Sequence, residues 1–183
     1  MPLVYSAEKW YYYIVARVRR KAELTPMVKT NAMRLLSQAG IEFDVCEYEY
    51  DENDLNGMHA AERTGVPAER VFKTLVARGA KRGILVFCVP VCAELDLKKA
   101  ARAAGDKSVE MIHVKELLPL TGYIRGGCSP VGMKKAYPVF IDESAVLYES
   151  IGVSAGERGV QMMVEPNALA DFLGAELWDI TVV

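Results

Sequence analysis

Lys73 sits inside the apolar run Val71-Phe72-Lys73-Thr74-Leu75, and Gly126-Gly127-Cys128-Ser129-Pro130-Val131-Gly132 sets three glycines around a thiol, a hydroxyl and a proline. Glycines at that density let backbone N–H groups come close to a substrate oxygen, and a cation beside them stabilises negative charge developing on a carbonyl. Together the two segments suit chemistry at an acyl carbon. A third, Ser154-Ala155-Gly156-Glu157-Arg158-Gly159, again places a hydroxyl and a guanidinium beside flexible backbone. It is expected to line the opposite wall of the same pocket.

Each segment also has a plainer reading. Period-two geometry puts Val71, Lys73 and Leu75 on one face of a strand and Phe72, Thr74 and Val76 on the other, so the ammonium shares its face with aliphatics. A lysine at a sheet's rim, with a packed stem and a solvated head, satisfies that pattern as well as a cation aimed into a pocket does. The glycine stretch can equally be a tight loop. It is neither a Walker loop nor a dinucleotide fingerprint, because no Lys-Ser/Thr pair closes it and no strand–turn–helix surrounds it.

Other devices find little support. His59 and His113 stand apart from any acid–nucleophile constellation, which argues against a Ser-His-Asp or Cys-His arrangement. The cysteines Cys46, Cys88, Cys92 and Cys128 lack the paired spacing of a zinc ribbon, so no metal and no cofactor is expected. They read as reduced cytoplasmic thiols, with Cys128 a small space-filler in the glycine loop.

The elements that must position these groups follow from periodicity. Ala32, Met33, Leu35, Leu36 and Ala39 share one helical face between a Thr30 cap and a Gly40 stop. Ile41 to Cys46 alternates as a half-buried strand running on towards Tyr48, and a short helix from about Met58 to Arg63 ends at Gly65. Val71–Ala77 and Gly83–Val89 form two strands joined by the turn Gly79–Arg82, a hairpin in the sheet's centre. Asp96 caps a helix through Arg102 that stops at Gly105. Val109–Ile112 reads as a strand, and Val114–Leu118 as a helical turn closed by Pro119 and Gly122. Pro138–Asp142 and Val160–Glu165 alternate like strands, and Asn167–Leu173 reads as a helix ending at Gly174. Strand runs joined by short turns outnumber regular βαβ units, so the expected class is α+β, a single domain with a mixed or barrel-like sheet.

Bulk properties bound the partners. The 183 residues suit one domain of ordinary size, and a hydrophobic fraction of 51% supplies its core. With 22 basic against 24 acidic residues the net charge is −2, so no global positive field draws in nucleic acid or an anionic membrane, and neither DNA nor a membrane is an expected partner. Any RNA contact must come from local patches such as Lys98-Lys99, Arg102, Lys134-Lys135 and Lys81-Arg82, or from a partner. Near the start, the apolar Trp10–Ala16 is shorter than the roughly 18 residues a spanning helix needs and is followed, not preceded, by Arg17, Arg19, Arg20 and Lys21. Residues 1–27 are therefore read as an N-terminal extension, and 28–183 as the folded domain.

Five ordered segments, Val71–Leu75, Leu95–Ala101, Thr121-Gly122-Tyr123, Gly126–Gly132 and Ser154–Gly159, closely resemble the YbaK/EbsC group. These are Cys-tRNA(Pro) deacylases related to the editing domain inserted in bacterial prolyl-tRNA synthetases. The likeness runs from about Val28 to Thr181. It implies a single α+β domain that cleaves the ester between cysteine and the 3′ adenosine of mischarged proline tRNA. It also implies catalytic roles for Lys73 and for the amides at Gly126 and Gly127. Tyr48, Thr74, Ser129, Pro130, Gly132, Ser154, Gly156 and Arg158 would surround the substrate, and prolyl-tRNA synthetase would lend selectivity for the RNA. Enzymes of this group are understood to use the substrate's own thiol as nucleophile. One departure stands out: Leu55-Asn56 where the family often has an aromatic residue. Two rival readings are a deacylase for another ester such as Ala-tRNA(Pro) and a module that binds tRNA or a synthetase without catalysis. A nucleotide-binding use of the glycine loop is a third.

Overall fold

The computed structural model describes residues 29–52 and 57–182; residues 1–27 and the Leu55-Asn56 position lie outside them. The first helix, α1 (Asn31–Gln38), opens where the Thr30 hydroxyl accepts the Met33 amide at 3.2 Å and stops at Gly40, whose φ of 73° releases the chain. β1 (Phe43–Glu47) and α2 (Gly57–Thr64) follow. The expected hairpin is β2 (Phe72–Gly79) against β3 (Gly83–Pro90), in register from Phe72 opposite Pro90 to Gly79 opposite Gly83. Its turn is held by Asp106, whose carboxylate accepts the Lys81 and Arg82 amides at 2.9 and 2.8 Å.

Beyond β4 (Glu94–Leu95), α3 (Leu97–Ala103) starts at Asp96, whose side chain accepts the Lys98 and Lys99 amides. β5 (Val109–Met111) leads into α4 (Val114–Thr121), and Pro119 lies inside that helix instead of ending it. Pro119 can make no bond back to Lys115, but the turn continues: Thr121 Oγ1 donates to Leu117 O at 2.7 Å, and Gly122 closes the end at φ 85°. The remaining elements are β6 (Val139–Asp142), β7 (Ile151–Ser154), β8 (Val160–Val164), α5 (Pro166–Leu173), β9 (Glu176–Trp178) and β10 (Thr181–Val182).

Five strands form one sheet in the order β5-β2-β3-β6-β9, antiparallel at the hairpin and parallel at β3–β6 and β6–β9. A second sheet, β1-β8-β7, is antiparallel throughout, and β10 pairs with β4. The two larger sheets meet at one parallel bridge, Val71 to Gly152. The architecture is therefore the expected α+β domain with a mixed sheet, and its sheets stay open, with no closed barrel among the described strands.

Each face of the five-stranded sheet is buried. Phe72, Val86, Cys88 and Ile141 pack with Val153, Met162 and Val164 of the smaller sheet, Leu36 of α1 and Leu169 of α5. On the other face Ala77, Leu85, Phe87, Val89 and Phe140 meet the alanines of α3, whose small side chains allow close approach. The Phe87 and Phe140 rings stack at 5.3 Å there. A smaller cluster joins Ala60 and Ala61 of α2 to Val71 and Val91. Leu36 is fully buried, and truncating such a leucine to alanine costs about 2–5 kcal/mol.

Candidate active site

A cavity of about 520 Å³ opens where the two sheets join, bounded by the start of β2, the end of β1 and α2. That lies in the range of roughly 300–1,000 Å³ typical of small-ligand sites. Lys73 and Thr74 reach it from β2, Tyr48 from the end of β1, Ser154 from β7, and Arg125, Gly126, Cys128 and Arg158 from the two glycine segments. Residues as distant in sequence as Tyr48 and Gln161 are thus gathered around one space beside the Val71–Gly152 seam.

Lys73 keeps its side chain only 23% exposed, and its Nζ donates to Glu94 Oε1 at 3.1 Å. The ammonium belongs to the cavity wall and is neither sealed in apolar surroundings nor loose in bulk water. Thr74 lies on the opposite side of the same strand, with its hydroxyl 3.9 Å from Cys88 Sγ.

The two glycine segments touch, so they make one continuous wall and not two facing ones. A Cβ built on Gly127 would stand 3.1 Å from the Arg158 amide nitrogen and 3.2 Å from the Glu157 carbonyl carbon. A side chain at Gly127 would force these backbones apart by a few tenths of an ångström. Arg158 completes the join: its Nε donates to Arg125 O at 3.1 Å and its Nη1 to Glu52 Oε1 at 3.3 Å. The guanidinium therefore clamps the collar from behind as well as bordering the cavity.

Tyr123, a residue sequence reasoning gave no separate role, fixes the collar's shape. Its hydroxyl donates to Val131 O at 2.6 Å; a Cβ added at Gly156 would fall 2.8 Å from its ring, and one at Gly132 3.1 Å from its hydroxyl oxygen. Ser129 is fully buried, with Oγ accepting the Val131 amide at 3.2 Å, and Pro130 is buried beside it. Gly127, Ser129, Pro130, Gly132 and Gly156 thus stand behind the lining that Gly126 and Cys128 present.

Tyr48 is pinned where its amide donates to Gly159 O at 2.8 Å, and burial pushes its phenol up from the ordinary value, so it remains a donor at neutral pH. Burial also raises the Cys128 thiol to about 12, against a smaller lowering by its hydrogen bond with Thr121, and the Cys88 thiol to about 12. At neutral pH neither supplies a thiolate.

Four cations line the cavity, Arg63, Lys73, Arg125 and Arg158, against two carboxylates, Glu49 and Asp51. Carboxylates stand against three of these cations, Glu94 on Lys73, Glu52 on Arg158 and Glu49 4.0 Å from Arg63, so ion pairs and not bare positive charge border the pocket. Arg63 and Arg125 were not among the basic groups expected from sequence, since a single arginine gives no patch signal. Two of the expected groups are engaged within the chain: Lys99 with Asp179 and Thr181 O, and Lys134 with Leu118 O. Among the described residues no group of three or more His, Cys, Asp or Glu side chains is placed to hold a metal ion, and no helix is long and apolar enough to cross a membrane.

Residues 58–172 match the sequence profile of the aminoacyl-tRNA editing domain. The chain belongs to this family. It is 46% identical over 153 residues to the candidate Cys-tRNA(Pro)/Cys-tRNA(Cys) deacylase EbsC of Enterococcus faecalis, spanning 84% of this chain and 93% of that one. A proline–tRNA ligase of Thermosipho africanus is 28% identical over 134 residues, 73% of this chain but 23% of the ligase. Among solved structures, a candidate trans-editing enzyme for prolyl tRNA synthetase superposes with a TM-score of 0.73 at 26% identity, covering 85% of this chain and all of that one. The match spans nearly all of EbsC but a minor part of the ligase.

Proposed function

We propose that the chain is a trans-acting deacylase that removes cysteine from mischarged Cys-tRNA(Pro), with the substrate's own thiol as nucleophile. The observation that carries the reading is that Lys73 and the glycine collar at Gly126 border one cavity in which the protein's own thiol, Cys128, is held protonated. The site is suited to stabilising charge, and its lining thiol is not the attacking group. Membership of the aminoacyl-tRNA editing family and the name of the Enterococcus relative support the substrate class.

In this reading the 3′ adenosine ester enters with its carbonyl oxygen toward Lys73 and the backbone at Gly126, whereas the expected Gly127 amide is already taken by Ile124 O at 3.0 Å. A free thiol has a pKa of about 8.5, so a few per cent is thiolate near neutrality. That sulfur attacks its own ester carbon, the bond from carbon to the ribose oxygen breaks, and the ribose oxygen takes up the proton the thiol gave up. The cysteinyl group leaves as a small cyclic thiolactone. Tyr48 and Ser154 hold the aminoacyl end, and Arg63 and Arg125 meet the phosphates of the RNA terminus.

The need for such an enzyme is physical. A proline pocket discriminates against a side chain of similar volume by only about 1–3 kcal/mol, so cysteine is attached in error and must be removed afterwards. The partial match to a proline–tRNA ligase supports prolyl-tRNA synthetase as the partner that delivers the tRNA.

The test is release of cysteine from Cys-tRNA(Pro) by the wild type and by Lys73→Ala. Loss of one charge-stabilising donor typically lowers the rate by about 10²–10³. The variant should still bind the tRNA. Equal turnover by the two proteins, or none by either, overturns the reading.

A further inference from the structure

Gln161 Oε1 is the buried side-chain polar atom among the described residues that has no hydrogen-bond partner. Gln161 lies in β8 between Cys46 of β1 and Ser154 of β7, is 5% exposed, and borders the cavity. Val160 and Met162 on either side turn into the main core, while Met163 packs with the Val71 and Ala60 cluster. By strand alternation Gln161 therefore faces the seam between the sheets, where the cavity opens.

Its oxygen stands over Gly152, where an added Cβ would fall 3.1 Å away. The bare Cα gives the amide room but no donor. A buried acceptor left unmatched is unfavourable, and a methionine of similar shape would fill the same space without that penalty. The final torsion of a glutamine is broad and soft, so a turn of the amide presents the oxygen to the cavity.

The charges around it select the donor. An aminoacyl ester whose carbonyl faces Lys73 must keep its own α-ammonium away from that cation and from Arg125 and Arg158. Glu49 and Asp51 are exposed, whereas Gln161 offers a buried, neutral acceptor on the other sheet. Ser154, directly across the ladder, already uses its Oγ to accept the Gly156 amide at 3.2 Å. We propose that Gln161 binds the α-ammonium of the aminoacyl group through its side-chain oxygen, and so orients the substrate for attack at the carbonyl. This rests on the deacylase reading above and adds to it the group that recognises the amine.

The probes are 3′-deoxy-3′-(cysteinylamino)adenosine, which cannot be deacylated as an ester, and its counterpart lacking the α-amino group. Binding of both to wild type, Gln161→Met and Gln161→Glu is measured by calorimetry, with thermal melting of each protein. The amine-bearing compound should lose about tenfold in affinity on Gln161→Met, the size of one charge-assisted hydrogen bond, and keep or gain affinity on Gln161→Glu. The des-amino compound should change by less than about twofold, and Gln161→Met should melt no lower than wild type. Equal losses for both compounds, a lowered melting point with both weakened, or no preference of the wild type for the amine overturns the inference. If Cys-tRNA(Pro) survives the wild type while the amine-specific loss holds, the deacylase reading fails and the amine site stands. If deacylation proceeds and the losses are equal, the reverse is true.

Discussion

Lys73 Nζ rests 3.1 Å from Glu94 Oε1, a carboxylate whose side chain is 82% exposed. Ion pairs this open to water contribute about 0–1 kcal/mol, so the ammonium can turn to a substrate oxygen with little loss. Glu94→Gln is therefore expected to keep deacylation within about threefold of wild type or raise it, while Lys73→Ala loses about 10²–10³. Lys73→Arg should not restore the rate, because a planar guanidinium places its donors differently from a point ammonium. Single-turnover rates on Cys-tRNA(Pro) check all three. A Glu94→Gln enzyme as dead as Lys73→Ala would make the pair, and not the lysine, the functional unit.

The collar offers a second prediction. Gly127→Ala forces a Cβ against the Glu157–Arg158 backbone, which cannot yield as a flexible side chain would. Overpacking of this kind costs about 1–3 kcal/mol. Gly40 supplies the control: its φ is 73° with nothing near its missing Cβ, so Gly40→Ala carries only the left-handed strain of about 1–2 kcal/mol. Both variants should melt lower than wild type, but only Gly127→Ala should lower the rate measured well below the melting point. Comparable activity losses in the two would show that the collar's shape is not what the glycine protects.

Much of this was legible in the sequence, for local reasons. Thr30, Asp96, Gly40, Gly105 and Gly122 mark helix ends through their own hydrogen bonds or positive φ, and the Gly79–Gly83 hairpin carries its turn with it. The strands β4, β7, β9 and β10 were not expected. They are two to four residues long, and most of them owe their form to distant partners, as when Thr181 pairs with Leu95. Pro119 read as a stop because the rule concerns the missing N–H, yet a helix this short loses only one bond by keeping it. In the site, Lys73 and the glycine segments stood out by residue type. Gln161 did not, since a polar residue alternating with Val160 and Met162 reads as an ordinary solvent face, and only the second sheet's position turns that face toward a cavity.

The thiols give a dependence on pH. Burial lifts Cys46 to about 11 and Cys88 and Cys128 to about 12, all from an ordinary 9.0. A group whose folded pKa is raised stabilises the fold below its unfolded value and loses that contribution as pH climbs through the folded one. Thermal stability should therefore fall as pH passes about 9 and keep falling towards 12. Cys128→Ser and Cys88→Ala should flatten that decline, measured by melting across the range.

Turnover should follow a different thiol. With the protein's buried cysteines protonated, the rate depends on the substrate's sulfur and should rise about tenfold per pH unit up to roughly 8.5 and then level. Cys128→Ser should keep that profile and most of the rate. A profile that shifts with the Cys128 substitution would place the nucleophile in the protein.

Proline tRNA is charged in turn with cysteine, serine and alanine, and the rate of ester loss is followed for each. If the cavity supplies charge stabilisation and the substrate supplies the sulfur, the cysteinyl ester is cleared while the seryl and alanyl esters persist at close to their uncatalysed rates. Serine or alanine released as fast as cysteine would contradict it.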